Sequence, residues 1–358
     1  MKYHMAVYHT TGKELRKSPK KLLAGIVVLL AVAGTVFGVI SVKNGLQDIA
    51  TPSGEESSPE ISVPSYPDSI TTPEDKVIYA YDIRFHDETA KGALVLVNRQ
   101  HGIEDTETGL VPVFDFKNEH YKVRDHEVLL QEEAILALNE MTAAFYLATG
   151  KEDLQVTTGY RTKAYQQELY DNYTPDADED PSEMAAKGGH SDHESGYSVD
   201  FNIYRDGESL TMDGTGDYAW LAEHCAEYGF ILRYPQDKVS ETEFAYEPWH
   251  FRYVGKAHAL YITQNKLSLE SYLNLLKDYT YNGTHLQITD AQDSLCEVFY
   301  VPVNEESATT EIPVPATCEH TVSGNNVDGY IVTVFPERPL TQTDTDTPED
   351  ESAATPTE

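Results

Sequence analysis

Between Leu22 and Val42 the chain runs through LLAGIVVLLAVAGTVFGVISV, 21 residues without one charged side chain. At about 1.5 Å per residue a helix of that length reaches roughly 30 Å, enough to cross the hydrocarbon core of a bilayer. Lys2, Lys13, Arg16, Lys17, Lys20 and Lys21 precede it against the single acid Glu14, whereas Lys43, Asp48, Glu55 and Glu56 follow. That asymmetry puts the N-terminus in the cytoplasm and everything past Val42 outside the cell. A core helix would leave the asymmetry without a cause. A cleaved signal peptide is the alternative, but its apolar run is usually shorter, and the A-x-A at Ala31–Ala33 lies inside the run. The expected products are a basic cytoplasmic segment (1–21), a membrane anchor (22–42) and an extracytoplasmic remainder.

The remainder is strongly acidic. The whole chain of 358 residues carries a formal net charge of −34. Nucleic acid is excluded as a partner, because phosphate binding needs clustered Lys and Arg. Beyond the N-terminus, adhesion to anionic headgroups is excluded for the same reason. Residues 43–75 (TPSGEESSPEISVPSYPDSITTPED and flanks) are rich in Pro, Ser and acid without apolar periodicity, and so are 337–358. Such segments cannot bury enough surface to offset their ordering entropy. They read as a tether and an acidic tail around a folded region at 76–336.

Within that region the patterns are mixed. Ala93–Val97 (ALVLV) reads as a buried strand. Glu132–Ala148 is helical, with Leu138, Met141 and Phe145 at spacings of three and four and Gly150 as its stop. Leu154–Thr158, Phe230–Tyr234 and Phe244–Tyr253 read as strands, Thr162–Tyr173 and Trp220–Tyr228 as helices. Strands and helices alternate irregularly, which favours an α+β class over a parallel sheet. Residues 279–336 hold HLQIT, CEVFYVPV and DGYIVTVF among Gly and Asn turns, the signature of a small β module behind a main domain at 76–278. Of three cysteines, Cys225 reads as a buried helix residue, while Cys296 and Cys318 are candidates for a bridge outside the membrane.

The chemistry concentrates in two stretches. From Tyr197 to Ile203 the residues alternate, so Tyr197, Val199, Phe201 and Ile203 share one strand face and Asp200 lies on the other. His193 stands seven residues earlier across Gly196, where a turn can fold its imidazole back toward Asp200. In YEPWHFRYVG, Glu247 and His250 are three apart; Pro248 makes a helix unlikely, and a regular strand would point them oppositely. To reach one metal they need a break in the pleat at Pro248. Singly each signal is weak. Together they supply two imidazoles, a carboxylate and a spare carboxylate, the inventory of a catalytic zinc site with one position open to water.

S-D-H-E-S-G-Y-S-V-D at 191–200 is similar to the S-x-H-x-x-G-x-x-x-D signature of the VanY-type D-alanyl-D-alanine carboxypeptidases, peptidase family M15, subfamily B. Glu247-Pro248-Trp249-His250 resembles that family's E-P-W-H, and Thr158-Gly159-Tyr160-Arg161 with Gln166 its S-G-Y-R and Gln. LVLVN at 94–98 and YGFILRYP at 228–235 match in order. Thr158 stands where Ser is usual, Asp192 where Glu is, Tyr197 where a smaller aliphatic is, and Gly188 where Pro is common. The resemblance implies a hedgehog/D,D-peptidase-like domain with a central antiparallel sheet flanked by helices. It implies one Zn²⁺ on His193, Asp200 and His250, Glu247 as general base, and Arg161 as a catalytic and substrate-binding cation. Gln166 and Ser191 would lie at the substrate. Trp249 reads as core or pocket wall, with direct substrate contact as the alternative, and His190 as a supporting or surface residue rather than a ligand. The implied reaction removes the C-terminal D-Ala from peptidoglycan stem peptides. L,D-carboxypeptidase or endopeptidase action on the same peptides, or a non-catalytic wall-binding module, are the alternatives.

Overall fold

Alternating apolar and polar positions organise the described residues into two larger sheets and two two-stranded ones, with helices packed on them. The computed structural model describes residues 78–105, 108–173 and 185–340, all within one unit. The anchor expected at 22–42, the tether up to residue 77 and the tail from 341 onward lie outside the described residues. Among the described residues no helix is long and apolar enough to cross a membrane.

In chain order, β1 (Tyr79–Phe85) leads through irregular chain to β2 (Leu110–Pro112), the single-turn α1 (Val113–Phe116), β3 (Lys122–Val123) and β4 (Leu129–Gln131). Then come α2 (Glu132–Thr149), β5 (Leu154–Thr158), α3 (Lys163–Asn172), β6 (Ser198–Arg205), β7 (Glu208–Thr211), α4 (Ala219–His224) and β8 (Phe230–Leu232). The short α5 (Val239–Thr242) precedes β9 (His250–Tyr253), α6 (Lys256–Gln264) and α7 (Leu269–Leu276). The C-terminal strands are β10 (Leu286–Thr289), β11 (Leu295–Pro302), β12 (Thr309–Pro315), β13 (Cys318–Gly324) and β14 (Gly329–Pro339).

The main sheet has the order β3-β5-β6-β9-β8, with β7 also paired to β6. Every pairing in it is antiparallel except β3 with β5. Helix α2 covers one face. Its Ile135, Leu138, Met141 and Phe145 are buried against Leu154, Val156, Val199, Phe201 and Phe251, each such side chain contributing about 1.5–3 kcal/mol. Gly150 ends the helix at φ 70°, its N–H donating to Tyr146 O at 2.7 Å, a left-handed cap that favours glycine. Because strand side chains alternate, the positions that bury Val199, Phe201 and Phe251 turn Ser198, Asp200, His250 and Arg252 to the opposite face. The register seats Asp200 opposite His250 and Ser198 opposite Arg252.

The second sheet has the order β10-β11-β14-β13. One face packs on α6 and α7 through Cys296, Val298, Tyr300 and Ile331. Strand β12 covers the other, with Ile312 and Val314 against Phe299, Val301, Val332 and Val334. β1 pairs with β12 over its full length, Tyr79 opposite Pro315 and Phe85 opposite Thr309. The change of architecture near residue 279 therefore does not separate two cores: the C-terminal strands share one with the helices and are completed by a strand from the opposite end of the described chain. β14 continues to Pro339, past the expected start of the tail at 337.

Three local expectations need correction. Ala93–Val97 is buried but forms no strand. Its backbone is satisfied singly: Leu94 N–H by Ser323 Oγ, Leu96 N–H by Asn325 O, and the Ala93 and Val95 carbonyls by the Arg252 guanidinium. The strand expected at Phe244–Tyr253 is only His250–Tyr253, because a turn at Glu247–His250 precedes it. Cys225, Cys296 and Cys318 are all free and buried. Cys296 faces the helices and Cys318 the β12 side, so the sheet stands between the two thiols and no bridge forms.

Candidate metal centre

Three elements converge on the uncovered face of β6 and β9. Ser191 opens a 3-10 turn over Asp192–Ser195, its backbone carbonyl accepting from the Glu194 N–H at 3.0 Å while the Glu194 carboxylate accepts from the Ser191 N–H. Gly196 closes the turn at φ 78°. This folds His193 back over the strand that follows, as the spacing to Asp200 requires. Its Nδ1 donates to Gly159 O at 2.8 Å, which leaves Nε2 free to face Asp200 Oδ2 at 3.1 Å. On the neighbouring strand His250 turns Nδ1 to Asp200 Oδ1 at 2.9 Å. His193, Asp200 and His250 thus offer donor atoms lying within 4.8 Å of one another. A tetrahedral zinc with bonds of about 2.0–2.1 Å has ligand–ligand edges of about 3.3 Å, close to the two shorter separations. The donor set fits that ion.

Glu247 enters by the break in the pleat. Its N–H donates to Tyr234 O and its carbonyl accepts from the His250 N–H, both at 3.1 Å, so Pro248 and Trp249 form the bend. Glu247 Oε2 lies 3.7 Å from His250 Nδ1. Arg161 follows β5 by three residues. Its guanidinium reaches Asp200 Oδ2 at 3.4 Å and donates to Gln166 Oε1 at 3.1 Å.

The electrostatics follow from this crowding. Burial would raise the Asp200 carboxyl, but the His193 and His250 imidazoles hold it well below the usual range. Burial and the Asp200 charge push Glu247 up to about 7, with His250 and Arg161 pulling the other way. Burial and Arg161 bring His193 down to about 4. His250 is pushed up to about 9 because its bonds to Asp192 and Asp200 outweigh its burial. A buried carboxyl near 7 beside converging donors is a group fitted to take and return a proton at neutral pH.

The remaining expected residues divide. Gln166 is buried and committed on both sides, accepting from Arg161 and donating to Ala186 O at 2.8 Å; it orients the guanidinium. Ser191 is buried where it opens the turn and ties it through its backbone N–H and carbonyl. Trp249 packs on the main core and its carbonyl accepts from the Phe201 N–H. His190 stands apart from the donor cluster, its Nδ1 2.9 Å from Asn98 O. Sequence reasoning missed the layer beneath. Asp192, Arg233 and Arg252 are fully buried, and Asp192 is ion-paired to Arg252 and lies 3.5 Å from His250 Nε2. Charged residues inside two motif stretches were the available signal, since such side chains are seldom buried unpaired.

Against known proteins, the family model described as VanY, D-alanyl-D-alanine carboxypeptidase, matches residues 127–256. A D-alanyl-D-alanine carboxypeptidase of Enterococcus faecium is 33% identical over 260 residues, spanning 70% of this chain and 77% of that protein. The putative carboxypeptidase YodJ of Bacillus subtilis is 31% identical over 198 residues, 53% of this chain and 70% of its own. Among solved structures, the vancomycin-resistance D,D-dipeptidase VanXYg, in complex with a D-Ala-D-Ala phosphinate analog, superposes with a TM-score of 0.64 at 27% identity. That match covers 72% of this chain and 99% of the other. With the same mixed fold, ordered motifs and a third of its residues shared over most of a curated relative, the chain belongs to the VanY family of D-alanyl-D-alanine carboxypeptidases.

Proposed function

We propose that this chain is a zinc carboxypeptidase that removes the C-terminal D-Ala from peptidoglycan stem peptides. We place it outside the cell, held at the membrane by residues 22–42. The observation that carries the reading is the convergence of His193, Asp200 and His250 with the buried Glu247 beside them. The relatives' activity on D-Ala-D-Ala ends supports the substrate class. His193, Asp200 and His250 would hold the metal, one per chain. When bound, zinc supplies Lewis acidity toward water and the scissile carbonyl.

The chain's own residues do the rest. Glu247, its carboxyl raised by burial, takes a proton from the attacking water and returns it to the departing D-Ala amine. Arg161, steadied by Gln166 and Asp200, presents its fork to substrate oxygen: the terminal carboxylate or the developing oxyanion. Ser191 and Trp249 shape the wall. The anchor keeps the enzyme beside its wall substrate, and the tether gives reach.

The test is D-Ala release from a stem pentapeptide ending in D-Ala-D-Ala, wild type against Glu247→Gln, each with its zinc content measured. Zinc near one per chain in both, with release cut by about 10²–10⁴ in the variant, is the expected result. Bound zinc without release, or release from a tetrapeptide alone, would move the reading to another bond or to a binding role.

A further inference from the structure

Beneath the donor cluster lies a closed set of charges. Arg233 pairs with Glu270 through both terminal nitrogens, at 2.7 and 3.0 Å. Its Nε lies 3.7 Å from Asp192 Oδ1, the oxygen that Arg252 also binds. The side chains of Arg233, Arg252 and Asp192 have no exposed surface. Two guanidinium and two carboxylate charges balance within the cluster, with one Asp192 oxygen turned toward the imidazole above it.

The two oxygens of Asp192 are used differently. Oδ1 serves the arginines and thereby the fold, since Arg252 also holds the 93–95 carbonyls. Oδ2 accepts from the Ser198 hydroxyl and faces His250 Nε2 at 3.5 Å. That nitrogen is buried and has no hydrogen-bond partner within normal geometry, Asp192 Oδ2 being the carboxylate oxygen that it faces. His250 Nδ1 points the opposite way, to Asp200 and the donor cluster. An imidazole can ligate through Nδ1 only when its proton sits on Nε2, and the tautomer is set by what the other nitrogen meets.

We propose that Asp192 is a positioning residue that holds the His250 proton on Nε2 and so keeps Nδ1 available as a metal donor. The inference rests on the zinc reading above and deepens it. Arg252 fixes the carboxylate by one oxygen; the second oxygen, steadied by Ser198, is the acceptor. Asn at this position keeps the size but offers one oxygen and one amide nitrogen. Arg252 only donates and so can pair only with the amide oxygen, which leaves the amide N–H aimed at His250 Nε2 and drives the proton to Nδ1. Glu keeps two acceptor oxygens, and Glu is usual here in the signature that the motif resembles.

The experiment is zinc competition against a chelator on the full chain, for wild type, Asp192→Asn, Asp192→Glu and Glu270→Gln, with folding checked by circular dichroism. Glu270→Gln disturbs the same buried cluster without touching His250. The expected result is a zinc Kd about 10–100-fold weaker for the Asn chain. The Glu chain recovers most of that loss, and the Glu270→Gln chain loses thermal stability while keeping wild-type affinity. An Asn chain within twofold of wild type, a Glu chain as weak as the Asn one, or a Glu270→Gln chain equally weakened would overturn the proposal. Should the Asn chain not fold, ¹⁵N-histidine spectra of the zinc-loaded wild type decide: a proton on His250 Nε2 upholds the assignment, one on Nδ1 removes it. A wild type that takes up no zinc sinks the functional reading and this inference with it, an outcome distinct from all the others.

Discussion

His258 joins two consecutive helices to a strand far along the chain. It sits on α6, with Nδ1 2.7 Å from the Tyr272 hydroxyl of α7 and Nε2 2.8 Å from the Thr333 hydroxyl of β14. The neutral ring has one donor and one acceptor, and each hydroxyl can take the complementary role. No carboxylate faces it, so burial alone brings it from 6.5 to about 4. Since the folded chain resists protonation there and the unfolded chain does not, stability is full above pH 6.5. It declines as pH falls toward 4 and levels off below that. At about 1.4 kcal/mol per tenfold in proton affinity, the loss from this group comes to roughly 3 kcal/mol. His258→Gln keeps a donor and an acceptor but cannot charge. Urea unfolding of both chains from pH 7.5 to 4 measures the difference. The variant, somewhat less stable at pH 7.5, should gain on the wild type by up to that amount as pH falls. Parallel stability curves would refute a buried imidazole held neutral by its surroundings at the junction of helices and second sheet.

Arg161→Lys keeps the charge but loses the fork and the Gln166 contact; kcat/KM on the stem pentapeptide should fall about ten- to hundredfold, the value of one or two charge-assisted hydrogen bonds, with zinc content unchanged. Gly159→Ala would drive a Cβ onto the Leu129 carbonyl at the end of β5. It should cost about 1–3 kcal/mol and lower Tm by several degrees, while weakening zinc binding through the Gly159 carbonyl that orients His193. Thiol titration of the unfolded, unreduced chain should find all three cysteines free, and reductant should leave Tm unchanged.

Some of this architecture was legible locally and some was not. The α2 helix was readable because its apolar spacing, acidic first turn and glycine stop all lie within one stretch. The break before His250 was readable because Pro248 cannot continue either regular structure. β1 was missed although Tyr79, Tyr81, Ile83 and Phe85 alternate, because its partner lies beyond residue 308 and nothing local names it. ALVLV was misread because an apolar run reports burial, and the groups that satisfy its backbone come from Arg252, Ser323 and Asn325.

By itself the sequence determined which groups could build the candidate site: two imidazoles and two carboxylates, each held in a short motif whose internal geometry is set by turn and pleat. It also determined the α+β character, since periodicity is a local property of the chain. Only the tertiary structure decided what each donor's far side meets. His193 gains its tautomer from Gly159, His250 faces Asp192, and Asp192 is held by Arg252 of β9 and approached by Arg233, just past β8, which pairs with Glu270 of α7. Hydrogen-bond partners of buried groups are chosen by packing among distant segments, and no spacing within one segment encodes that choice.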